Sequence, residues 1–71
     1  MDLAKLMREE GAFVVIELDH AQGDFRASLL KNDSRSFHQS YLMIDGRNVT
    51  ERSSIPELAA AGLFAKIKEK K

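Results

Sequence analysis

Two carboxylates and an imidazole crowd one short stretch of this 71-residue chain: Asp19, His20 and Asp24. Such groups can hold a divalent cation, or couple a carboxylate to an imidazole for general acid–base chemistry. Here they sit in Asp19-His20-Ala21-Gln22-Gly23-Asp24, a polar, Gly-containing stretch of the kind that turns a chain and in which Asp bonds its own backbone. No second constellation joins them. His38 is a lone imidazole, and Ser28, Ser34, Ser36, Ser40, Ser53 and Ser54 include no nucleophile in an elbow or beside a base at telling spacing. The glycines are isolated, so there is no phosphate-cradling loop. The expectation is a non-catalytic chain with no catalytic residues, no metal site, no cofactor and no evident small-molecule substrate.

Basic residues offer a different chemistry. Arg26, Lys31, Arg35, Arg47 and Arg52 are spread through the middle of the chain, and Lys66, Lys68, Lys70 and Lys71 load its end. Residues 1–24 carry two basic against six acidic side chains, a balance of −4, while residues 25–71 carry nine against five, a balance of +4. A surface that gathered Lys31, Arg35, Arg47 and Arg52 could neutralise phosphates. The same asymmetry serves two solvated faces, or an acidic face of one copy against a basic face of another. Aromatic residues are few, and Phe13, Phe25, Phe37 and Phe64 fall where a core needs them, so no base-stacking platform is evident. A terminal Lys run also complements a helix dipole.

The elements that position these groups follow from periodicity. Asp2 caps a short helix whose Leu3, Leu6 and Met7 share a face, and Gly11 ends it. Ala12 to Leu18 is the densest apolar run, with Val14, Ile16 and Leu18 on one face and Phe13, Val15 and Glu17 on the other. That strand belongs in the middle of a sheet, or has its second face covered by a helix or another subunit. Phe25, Ala27 and Leu29 alternate with polar residues as a second strand, so the two runs form a hairpin. Phe37 to Ile44 reads as a third strand, with Leu42 and Ile44 facing away from Tyr41 and Met43. Asp45-Gly46 is a strong hairpin signal, after which Arg47 to Thr50 returns as a short fourth strand. Ser54-Ile55-Pro56-Glu57 reads as a capping box opening a helix. We expect that helix to continue through Gly62; the alternative ends it there and releases Leu63 to Lys68 as a strand.

The predicted fold is therefore α+β: an antiparallel meander of three or four strands, a C-terminal helix packed on one face and a short N-terminal helix, all in a single domain over 1–71. Double-stranded RNA-binding domains share this element order, but their second helix opens on a KKxAK-type basic stretch. Ser54-Ile55-Pro56-Glu57-Leu58 has an acid there and no Lys, so the chain is assigned to no family on its residues.

A domain this small buries only about 60% of its unfolded surface and gains from some further stabilisation. With no Cys, disulfides are not available, and self-association becomes the leading alternative. No apolar run approaches the ~18 residues of a membrane span, and the acidic opening MDLAKLMREE does not read as a signal peptide. A cytoplasmic location is expected. For the same reason the Asn48-Val49-Thr50 acceptor triplet is discounted as a glycosylation site. The first functional expectation is a homodimeric accessory or regulatory module acting by protein–protein contact, with Phe13 and Val15 at its interface. The second is nucleic-acid binding through Arg26, Lys31, Arg35, Arg47, Arg52, Lys66, Lys68 and Lys70.

Overall fold

A computed structural model describes residues 2–33 and 38–69. Helix α1 (Leu3–Glu10) starts where the Asp2 carboxylate accepts the Ala4 N–H at 3.0 Å. It stops where Gly11 takes the left-handed conformation (φ 67°) and donates its N–H to the Leu6 carbonyl. Leu3 and Leu6 pack against the buried core, whereas Met7 stays about half exposed.

Strands β1 (Ala12–Asp19) and β2 (Asp24–Asp33) form the expected antiparallel hairpin, in register from Ala12 opposite Lys31 to Asp19 opposite Asp24. The turn closes with the Gly23 N–H on the Asp19 carbonyl at 2.7 Å. β2 is the central strand. Along its other side lie two shorter pieces, β3 (His38–Tyr41) against residues 30–33 and β6 (Thr50–Ser53) against residues 25–28. Between them the chain leaves the sheet as a small hairpin, β4 (Met43–Ile44) and β5 (Arg47–Asn48), turning at Asp45-Gly46. Both turn residues have positive φ, 54° and 74°, as the favoured two-residue hairpin turn requires.

Leu29 stands opposite the gap. Its N–H donates to the Val49 carbonyl and its carbonyl accepts the Leu42 N–H, each at 3.1 Å. The backbone of the central strand therefore stays satisfied where its neighbour departs. This corrects two expectations. The run expected from Phe37 to Ile44, of which Phe37 lies outside the described residues, is divided into β3 and β4, and the returning segment splits into β5, which pairs with β4, and β6, which pairs with β2. β1 lies at the edge of the sheet, which excludes the first of the two placements expected for it, the middle of a sheet.

Helix α2 (Pro56–Glu69) runs through Gly62 without a break. Its start differs from the predicted capping box. Pro56 takes the first helical position, the Ile55 carbonyl accepts from Leu58 and Ala59, and the hydroxyl of Ser53, not Ser54, accepts the Ile55 N–H at 3.2 Å. Ala59, Leu63 and Ile67, four residues apart, are fully buried. They close a core with Ala12, Ala27 and Leu29 of the sheet and Leu42, Ile44 and Val49, which flank or belong to the small hairpin. Both helices and that hairpin thus share one side of the sheet. The α+β architecture with its C-terminal helix on one face is as expected. Among the described residues, no helix is long and apolar enough to cross a membrane.

Candidate functional site

Strand alternation sends the odd residues of β1 and the even residues of β2 to the side without helices. The register then arranges this open face in rows. Phe13, Leu30 and Tyr41 stand opposite one another across three strands. Next come Val15, Ser28 and Thr50, then Glu17, Arg26 and Arg52, and last Asp19 opposite Asp24. The face grades from apolar to fully ionic along the strands. Phe13, Val15 and Leu30 are half-buried and Tyr41 is exposed, and Met7 of α1 borders a cleft with Phe13 at this end of the face. Ser28 is completely enclosed by its neighbours, and its hydroxyl has no hydrogen-bond partner among the described residues.

At the ionic end, Arg26 and Arg52 are directly opposite, an arrangement that like charges disfavour. Carboxylates offset it. Glu17 pairs with Arg26 at 3.2 Å. Arg52 grips Asp24 with two hydrogen bonds, Nε to Oδ2 at 3.1 Å and Nη2 to Oδ1 at 2.9 Å, and its Nη2 also donates to Asp19. The other oxygen of Asp19 accepts the Ala21 and Gln22 N–H groups at 3.0 and 3.2 Å. The Arg52 hydrogen bond, followed by that of Gln22, holds the Asp19 carboxyl below its ordinary pKa. Asp24 first, then Asp19, raises the guanidinium of Arg52. Of the residues that could be drawn as a metal or acid–base set, Asp19 and Asp24 are thus engaged in locking the hairpin turn to β6, while His20 is exposed. Among the described residues no three His, Asp or Glu side chains are placed to share a metal ion.

Among the described residues, the candidate phosphate-binding side chains fall into separate groups. Arg26 and Arg52 belong to the ion network, which with Glu17, Asp19 and Asp24 has two positive against three negative charges. Lys66 pairs with Glu51 at 3.3 Å and donates to the Thr50 carbonyl at 2.8 Å. Lys31 lines a cleft with Glu10 and Asp45, Arg47 lines another with Lys66 and Glu69, and Lys68 borders a mostly apolar one between the two helices. Arg35 and Lys70 lie outside the described residues.

Two features escaped the sequence reading. Tyr41 joins Phe13 and Leu30 in one apolar row, which only the β2–β3 register reveals. Ile16 and Leu18, which alternation places on one face with Val14, are each 45% exposed, because α2 crosses β2 and β6 and barely touches β1. No protein-family model, curated protein or solved structure matches this chain.

Proposed function

We propose that the protein is a small non-catalytic interaction module that works as a homodimeric accessory or regulatory factor, with Phe13 and Val15 of β1 at its interface. The observation that supports this most is the apolar row of Phe13, Leu30 and Tyr41 with Val15 beside it. An apolar patch rimmed by fixed charges suits protein docking, where buried aromatic anchors carry the energy. The small core gives a partner something to add to stability. Nucleic-acid binding ranks second, since Arg26, Arg52 and Lys66 already serve carboxylates and Lys31, Arg47 and Lys68 border separate clefts.

The test is the solution mass of the wild type and of Val15→Lys across protein concentration and salt, with absorbance monitored for co-purifying nucleic acid. A wild-type dimer that Val15→Lys converts to a folded monomer supports the reading. A monomer that carries nucleic acid, released steeply by salt, replaces it with the second.

A further inference from the structure

Sheet edges in natural proteins are usually blunted by short strands, bulges, proline or charge, because an unpaired strand edge invites another strand. One edge of this sheet follows the rule. β3 and β6 are four residues each, are separated by the small hairpin, and β6 carries Glu51 and Arg52. The other edge does not. β1 is an uninterrupted eight-residue strand, AFVVIELD, without proline or bulge; its two charges, Glu17 and Asp19, lie toward one end and are held by Arg26 and Arg52, and among the described residues it pairs only with β2.

The ladder shows which backbone groups face outward. Leu29 turns its N–H and C=O toward Val49 and Leu42, away from β1. Its partner Val14 therefore turns its own away from β2, and by alternation so do Ala12, Ile16 and Leu18. The exposed side chains of Ile16 and Leu18 lie along this same edge, on the helix side.

We infer that a second copy occupies this edge: β1 pairs antiparallel with β1 of another protomer, about a two-fold axis at Val15, making one continuous sheet. This deepens the homodimer reading above and rests on it. A two-fold at Val15 matches every outward-facing residue, Ala12 with the partner's Leu18 and Val14 with the partner's Ile16, and each such pair exchanges two hydrogen bonds. It covers Ile16 and Leu18, sets Glu17 against the partner's Phe13 and opposes no like charges. A two-fold at Glu17 would oppose the two copies of that carboxylate. One at Ile16 leaves Ala12 unmatched, and one at Val14 drives Leu18 onto the end of α1. At the chosen axis Val15 meets its own copy as a non-hydrogen-bonded pair, with Cα atoms about 4.5 Å apart, which is within disulfide reach. The two apolar patches of the open face then lie on either side of that contact.

The chain has no cysteine, so single substitutions report cleanly. Val15→Cys is expected to oxidise to a covalent dimer, and Tyr41→Cys, on the same face but two strands away, to stay reduced. Ile16→Pro removes only an outward N–H and is expected to halve the solution mass while leaving the circular dichroism unchanged. A wild-type dimer in which Tyr41→Cys cross-links and Val15→Cys does not would mean that the open faces stack. That would overturn edge pairing and leave self-association standing. A dimer that survives Ile16→Pro also overturns edge pairing, and a wild-type monomer at every concentration overturns both.

Discussion

Gly62 of α2 lies directly over Glu51 of β6. A Cβ on Gly62 would fall 2.6 Å from the Glu51 Cγ and 3.1 Å from its Cδ. The absent side chain lets the helix settle on the sheet while Glu51 reaches Lys66 one turn further along. Helix propensity alone says that Gly62→Ala gains about 1 kcal/mol. Overpacking of about 1–3 kcal/mol outweighs that gain. Gly62→Ala should therefore lower stability in urea by up to about 2 kcal/mol. With Glu51→Ala as background, the same change should turn stabilising. A gain in the wild-type background would show that the Glu51 side chain moves aside at little cost.

The Arg52 clamp makes a prediction about pH. The Asp19 carboxyl is held below its ordinary 3.8, chiefly by Arg52. A carboxyl whose folded pKa is depressed contributes stability above its unfolded pKa, and that contribution is lost as pH falls through the folded value. Arg52→Gln should thus be less stable than wild type near neutrality, with the gap narrowing as pH drops below about 4. Denaturation midpoints across that range measure it. A gap equally wide in acid would place the contribution of Arg52 in packing rather than in charge.

How far this fold could be read from residues depends on the range of the interaction. The Asp2 and Gly11 helix ends, the hairpin between Ala12 and Leu29 and the Asp45-Gly46 turn each arise within a few neighbours, and each was legible. The break after Tyr41 was not. Phe37 to Ile44 alternates well enough for one strand, and what divides it is the pairing of Leu42 and Val49 with Leu29 across the sheet. The fates of Arg52 and Ile16 were hidden for the same reason. Arg52 bonds Asp19 from 33 residues away. The exposure of Ile16 depends on where α2 crosses, which periodicity does not specify. Phe13 and Val15 were legible as a second apolar face, but the edge position of β1 was not.

The small hairpin should depend on its turn. Asp45 and Gly46 both have positive φ, and a Cβ in that region costs about 1–2 kcal/mol. Nothing lies within 4 Å of a Cβ placed on Gly46, so Gly46→Ala isolates the backbone cost. The expected loss is of that order, about 1–2 kcal/mol, measured by chemical denaturation. Asp45→Asn, which tolerates the same conformation, should be near neutral. If Gly46→Ala were silent, the hairpin would contribute little to stability despite burying Ile44 and Val49.

Leu63 and Phe64 are neighbours on α2 with opposite surroundings. Leu63 has no exposed surface and belongs to the buried core cluster with Ala27, Leu29 and Ala59, whereas Phe64 is 41% exposed and borders a cleft with Leu3. Truncating a buried leucine to alanine costs about 2–5 kcal/mol, against total stabilities of about 5–15 kcal/mol for small domains. Leu63→Ala should therefore leave a largely unfolded or strongly destabilised chain. Phe64→Ala removes the larger side chain yet should cost less, because much of that surface is already in water. Thermal and urea denaturation of the pair measure the order of the two losses. The reverse order would mean that a partner or a second copy covers Phe64, and repeating the comparison at low protein concentration separates that cover from the packing of the monomer.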